Sequence, residues 1–248
     1  GAAATGAVLI PTTATSALAG RSVRASGEVF TLGVASGDPL PDSVILWTRL
    51  APKPLELDGG MGKVSATVEW EIASDEAFTK DRQTGLVDAT PTYGHSVHID
   101  VKGLTPDSWY YYRFKHGTEL SPVGRTRTTP EPGASMSMLR VGQTSCANWQ
   151  SGYYQLYADL AEQEPDYWLA QGDYIYEYGN KGYMRPTQTK PTRVIPWKDE
   201  PFTVAQYRRQ YGLYRGSPEL QKLHAAAPYS VIWDDHEVDN NFAASKSG

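Results

Sequence analysis

The sequence predicts two folds in tandem, an all-β sandwich followed by an α/β unit, and three observations predict them. Between Glu28 and Thr129 apolar and polar residues alternate at the period of a strand. From Ser137 onward short apolar runs alternate with stretches whose apolar residues recur at helical spacing. The change of pattern falls in "TTPEPGAS" (Thr128–Ser135), a stretch with the composition of a linker. The expected boundaries are 1–27 for a tail, 28–132 for the sandwich and 133–248 for the α/β unit.

Length and charge set the outer bounds. A chain of 248 residues is long enough for one large or two ordinary domains. Its formal net charge of −5, with no long basic run, argues against a nucleic-acid groove and against strong attraction to anionic membranes. The first twenty residues, "GAAATGAVLIPTTATSALAG", are small, apolar and uncharged, and end on Ala17-Leu18-Ala19, an A-x-A cleavage pattern. The stretch reads as the remnant of a signal peptide, so the expected location is extracellular. With one cysteine the chain can form no internal disulfide, and Cys146 needs another use.

The sandwich elements follow in order. "KVSATVEWEIAS" (Lys63–Ser74) and "HSVHIDVKGL" (His95–Leu104) alternate as half-buried strands do. "GLTPDSWYYYRF" (Gly103–Phe114) resembles the turn of fibronectin III and immunoglobulin-like domains, with Tyr110 as the tyrosine corner. Tyr110, Tyr112 and Phe114 are expected on one face, Tyr111 and Arg113 on the other. His95, His98 and His116 are expected on strand surfaces, not as ligands.

In the second unit "MLRVGQTSC" (Met138–Cys146), "DYWLAQGD" (Asp166–Asp173) and "YSVIWDDHE" (Tyr229–Glu237) read as strands with their exit loops. "SGYYQLYADLAEQEP" (Ser151–Pro165) has Tyr153, Leu156, Tyr157 and Leu160 at helical spacing, and Thr203–Arg215 and Ser217–Pro228 also read as helices. Parallel strands are expected, and open α/β sheets keep their chemistry beyond the strands' carboxyl ends. All three exits carry metal-competent groups: Cys146 and Asn148 at the first, Asp173 and Tyr176 at the second, and Asp234, Asp235, His236, Glu237, Asp239, Asn240 and Asn241 at the third. Thiolate and phenolate suit a transition metal, whereas carboxylates and amides suit a harder cation. Asp173 is placed to bridge the two. Two such cations can clamp a phosphate and acidify a bound water.

"GDYIY" (Gly172–Tyr176) together with "WDDHE" (Trp233–Glu237) resembles the purple-acid-phosphatase-type, calcineurin-like metallophosphoesterases. "FTLGVASGDPLPDSVILWTRL" (Phe30–Leu50), "QTSCANWQSGYY", "QGDYIYEYG" and "IWDDHEVDNN" narrow this to the PhoD-like family, whose members include alkaline phosphatase D, phosphodiesterases and a secreted phospholipase D. The resemblance implies an immunoglobulin/fibronectin III-like sandwich followed by the first half of a four-layer αββα catalytic domain. It implies Fe(III) held by Cys146, Asp173 and Tyr176, with Asp173 bridging to a second divalent metal, calcium in this family. Asp235 is the implied ligand of that second metal, with Asn240 or Asn241 as alternatives that the spacing does not separate. His236 is the implied catalytic group, Asp234 an orienting residue, and Asn148 a residue that shapes the substrate pocket.

The implied function is secreted hydrolysis of phosphate diesters, phospholipids included, with alkaline phosphatase D-type monoesterase activity as the alternative. A non-catalytic sandwich-type binding protein with a degenerate second half is the competing class. The family's remaining ligands come from later strands, so a C-terminal segment of the same protein is expected to complete the site, joined to this chain or nicked from it near Ser245–Gly248. Without that segment an unpaired sheet edge is expected after Trp233.

Overall fold

A computed structural model describes residues 29–180 and 192–243. The signal-peptide reading of residues 1–27 and the cut expected near 245–248 lie outside the described residues.

The N-terminal part is built from β1 (Val34–Gly37), β2 (Ser43–Arg49), β3 (Ala66–Ala73), β4 (Gln83–Ala89), β5 (Ser96–Lys102), β6 (Trp109–His116), β7 (Glu119–Leu120) and β8 (Gly124–Arg127). One antiparallel layer runs β5-β2-β1, and a second runs β4-β3-β6-β7 with β8 also on β6. Both close over one apolar cluster that includes Phe30, Val44, Leu46, Val68, Ile72, Val97, Tyr112 and Phe114. The period of two places Tyr110, Tyr112 and Phe114 inside, with Tyr111 and Arg113 only partly covered. The Tyr110 hydroxyl accepts a hydrogen bond from the Thr105 N–H, 2.8 Å, which is the corner contact that the sequence predicts. His98 is exposed on β5 and His116 sits against the Thr67 carbonyl. His95 departs from the surface position expected of it. It is buried with φ +59° in the turn before β5, where its Nε2 lies 2.9 Å from the Val64 carbonyl.

The second part contains β9 (Val141–Thr144), α1 (Gln155–Glu162), β10 (Tyr167–Gln171), α2 (Val204–Arg215), α3 (Pro218–Ala226) and β11 (Tyr229–Ile232). α1 begins at Gln155, so its inner face is Tyr157, Ala158 and Ala161, while Tyr153 and Leu156 are exposed. Of the four residues predicted on one face, Tyr157 and Leu160 do pack on the core, whereas Leu156 points outward and Tyr153 precedes the helix, after the 3-10 turn at Trp149–Ser151. α2 starts at a reciprocal capping box between Thr203 and Gln206, a device of about 1 kcal/mol. α3 starts with Pro218 in its first turn, where no N–H is needed. A second apolar cluster packs Trp168 and Ala170 of β10 against Tyr157, Leu213, Tyr214, Leu220 and Leu223 of the helices.

β9, β10 and β11 are parallel, as expected, but the sheet does not stop there. Its order is β5-β2-β1-β11-β10-β9, so one six-stranded sheet crosses the boundary between the two parts. β1 pairs parallel to β11 at Gly37↔Tyr229. A Cβ on Gly37 would stand 2.7 Å from the Tyr229 carbonyl oxygen, so the join requires glycine. The expected free edge after Trp233 is therefore corrected: β11 is internal to the sheet, and among the described residues the edge strands are β5 and β9. Side chains reinforce the join. Arg125 Nε donates to the Ala226 carbonyl (3.2 Å), Gln221 Nε2 to the Thr31 carbonyl (2.9 Å), and Arg127 pairs with Asp166.

Candidate metal centre

The three strand exits are sewn together by backbone hydrogen bonds. The Cys146 N–H donates to the Gly172 carbonyl (3.3 Å) and the Ala147 N–H to the Asp173 carbonyl (2.8 Å), which ties the first exit to the second. The Glu237 carboxylate ties the third exit to the second. It accepts from the Asp173 N–H (3.2 Å), the Tyr174 N–H and the Asp234 N–H (2.8 Å). Glu237 is buried and used up by these backbone donors, so among the acids of the third loop it acts as a clamp.

Two groups of donors result, and Asp173 belongs to both. In the first, the Tyr176 hydroxyl donates to Asp173 Oδ2 at 3.0 Å, and Cys146 acts on the same hydroxyl. Burial, followed by the Asp173 charge, pushes the Tyr176 hydroxyl far above its ordinary value, so in the absence of a cation it stays protonated and serves as a donor. In the second group, one ligating atom each from Asp173, Asp235 and His236 lie within 4.8 Å of one another. Asp173 is buried, and its Oδ1 has no hydrogen-bond partner. A buried carboxylate oxygen without a donor is costly, and a cation would relieve it.

Backbone strain gathers at the same place. Nine non-glycine residues among those described have positive φ, and three of them are candidate ligands: Cys146 (+55°), Asp173 (+52°) and Asn241 (+58°). Such conformations cost on the order of 1–3 kcal/mol each and persist where the surroundings impose them. Gly172 (φ +75°) supplies a further left-handed step, immediately before Asp173.

The remaining candidates are placed as follows. Asp235 is partly buried, and its Oδ2 accepts from the Asn241 N–H at 2.5 Å. That bond, ahead of the adjacent His236, holds its carboxyl below the usual aspartate range. Asn240 and Asn241 are exposed, and the bonds they make in this loop come from their backbone N–H groups. Asn148 spends its side-chain oxygen on capping the 3-10 turn, accepting from the Gln150 N–H (3.0 Å), the Ser151 N–H (3.1 Å) and the Ser151 hydroxyl (3.1 Å). Only its amide N–H groups are left for a substrate. Asp234 is exposed and accepts from the Asp235 N–H, in keeping with an orienting role. His236 lies close enough to both carboxylates to be a ligand as well as a catalyst.

Two residues of the site escaped sequence reasoning. Glu177, buried, holds His236, and Gly172 makes room for Asp234. Glu177 stands inside "QGDYIYEYG", but only the fold brings it to a residue 59 positions away.

Comparison with known proteins gives two family matches. Residues 14–130 match the N-terminal domain of PhoD-like phosphatases and residues 139–248 match the PhoD-like phosphatase domain. Alkaline phosphatase D of Bacillus subtilis (strain 168) is 48% identical over 218 residues, which is 88% of this chain and 37% of that protein. A solved structure described as "Structure of PhoD" superposes with a TM-score of 0.83 at 48% identity, covering 87% of this chain and 41% of that one. The chain thus spans well under half the length of the relatives it matches.

Proposed function

This chain belongs to the PhoD-like phosphatase family, and from that premise we propose that it is the N-terminal part of a metal-dependent phosphoric ester hydrolase. One observation carries the reading: the buried, half-satisfied carboxylate of Asp173 is shared between a thiol–phenol group and a carboxylate–imidazole group. This donor set fits two unlike cations. Cys146, Asp173 and Tyr176 would hold Fe(III). Asp173 and Asp235, with Asn240 or Asn241, would hold a second, harder cation such as Ca(II). When bound, the pair would supply charge to clamp a phosphate and a water of lowered pKa.

The chain's own groups would do the rest. Tyr176 would give up its proton to serve as a ligand, so metal binding would strengthen as pH rises. His236, its ring tilted 30° against the Tyr176 ring at 4.1 Å between centroids, would donate a hydrogen bond to the phosphate or the departing oxygen. Asn148 would offer its amide N–H groups at the rim.

Substrate choice follows as part of the same proposal. Phosphate diesters, phospholipids included, are the lead reading. The monoesterase reading has the relative named alkaline phosphatase D in its favour. A degenerate binding protein is disfavoured because Cys146, Asp173, Tyr176, Asp235 and His236 converge. Export rests on the Ala17-Leu18-Ala19 pattern, and no described helix is long and apolar enough to cross a membrane.

The first part would be an immunoglobulin/fibronectin III-like sandwich over residues 28–132, and residues 133–248 half of an αββα domain. In support, among the described residues helices cover only one face of β9-β10-β11. The other face carries the exposed Val141 and Ile232 with the partly buried Leu169. At its foot lies a cleft of about 440 Å³ lined by Leu40, Met136, Leu139 and Tyr167. A C-terminal segment of the same protein would cover this face and bring the missing ligands.

The test is to express the full-length protein, determine its metals by elemental analysis, and assay p-nitrophenyl phosphate, bis-p-nitrophenyl phosphate and phosphatidylcholine side by side. Iron together with hydrolysis of the diester or the phospholipid supports the reading. A metal-free, inactive protein removes it, and turnover of the monoester alone selects the alternative.

A further inference from the structure

We infer that Glu177 is the positioning residue of this site, setting both the orientation of His236 and the path of the loop that carries Asn240; the inference rests on the phosphoesterase reading above. Glu177 is almost wholly buried, 2% exposed, in the strand-exit segment that also holds Asp173 and Tyr176. A buried carboxylate must be paired or hydrogen-bonded to be tolerated. Its two oxygens have separate partners. Oε2 lies 2.9 Å from His236 Nδ1, and Oε1 accepts from the Asn240 N–H at 3.0 Å.

Two consequences follow from this geometry. A carboxylate only accepts, so His236 presents a proton on Nδ1 and turns Nε2 to the site, where it ligates a cation when the ring is neutral and donates to a phosphate oxygen when the ring carries a second proton. The ring is also held from its faces and edge, by Tyr176 at 4.1 Å and Tyr178 at 5.4 Å between ring centroids. Consecutive residues thus serve two members of one cluster: the Tyr176 hydroxyl reaches Asp173 and the Glu177 carboxylate reaches His236. A rotation of this short segment would move both donor groups at once.

Glutamine in place of Glu177 has the same shape but only one accepting oxygen. It can satisfy His236 Nδ1–H or the Asn240 N–H, and its amide then points a donor at the other. Glu177→Gln is therefore a sharp test, made in the full-length protein with its metals. The expected result is a fall in kcat of about 10–100-fold, the usual cost of losing an outer partner of a site histidine, with KM changed by less than about twofold. In a His236→Ala background the glutamine oxygen is free to accept from the Asn240 N–H, so adding Glu177→Gln there should cost nothing further. Additive losses, or a kcat within about twofold of wild type, would overturn the assignment.

Neutron diffraction of the wild-type holoprotein reads the same contact without a variant and without activity. A deuteron on His236 Nδ1 facing Glu177 supports the positioning role, and a bare Nδ1 overturns it. A wild-type protein that hydrolyses no phosphate ester would instead sink the proposed function, leaving the diffraction result to decide on Glu177.

Discussion

Replacing Gly172 by alanine should loosen the site by pushing two strand exits apart. Gly172 has φ +75°, and an ideal Cβ there would stand 2.5 Å from Asp234 Cβ and 3.2 Å from the Asp234 nitrogen. Two terms add. Placing an L-residue in the left-handed region costs about 1–2 kcal/mol. The overlap costs more, because carbon contacts are comfortable at about 3.5–4.0 Å and the obstacle includes backbone, so the Asp234 loop must retreat by about 1 Å at an overpacking cost of about 1–3 kcal/mol. The expected destabilisation is thus about 2–5 kcal/mol, measured by urea unfolding of the full-length protein. Metal ligation tolerates only about 0.2 Å of error, so bound metal should fall as well. Gly117 is the control: it has φ +58° and nothing within 4 Å of an added Cβ, so Gly117→Ala carries the strain without the overlap. Equal losses of stability in the two variants, with metal retained in Gly172→Ala, would refute the reasoning.

Other outcomes follow from the same contacts. Iron bound by Cys146 and Tyr176 would absorb visible light, so Cys146→Ser and Tyr176→Phe should each shift or bleach the band of the intact protein; an iron-loaded protein whose spectrum ignores both changes is the contrary result. Burial, and then the nearby Arg215, hold the His224 imidazole well below its ordinary value, so the folded state stays neutral there while the unfolded chain takes up a proton. Stability should therefore decline by up to about 1.4 kcal/mol per pH unit as pH falls below about 6.5, and His224→Gln should flatten that slope in urea titrations at pH 7 and pH 5. Tyr110→Phe leaves the Thr105 N–H unanswered and should cost about 1–3 kcal/mol in the same measurement, with a loss under about 0.5 kcal/mol counting against a corner role. His236→Ala should lower kcat by about a hundredfold with metal content nearly unchanged; loss of metal would make His236 a ligand instead.

Periodicity carried the secondary structure a long way. The alternation in Trp109–His116 told which tyrosines are buried, because a strand leaves side chains no other choice of face. Helical spacing in Ser151–Pro165 located α1 and the inward Tyr157 and Leu160, but it missed Ala158 and Ala161, whose small side chains give a weak apolar signal yet let the helix lie close on the core. The chemistry-bearing residues at the three exits were legible because the carboxyl ends of parallel strands converge. Their supports were not. Glu177 looks like an ordinary loop acid, and Glu237 like one more possible ligand, until the fold brings each to a partner about sixty residues away. The pairing of β1 with β11 was equally hidden, because a single close approach at Gly37 leaves no periodic trace.

That pairing also sets a clock on biosynthesis. Asp38 and Ser230, which hydrogen-bond beside the join, are 192 residues apart in the chain. At roughly 5–20 residues per second, a ribosome needs roughly 10–40 s to travel that distance. Once β8 has been made, within that interval, the sandwich can close on its own apolar cluster, yet one flank of β1 still has no strand to meet. A nascent chain with an open strand flank invites pairing with a neighbour. The four-residue length of β1, and the charged Asp38 directly after it, keep that flank short and unwelcoming until Tyr229 arrives.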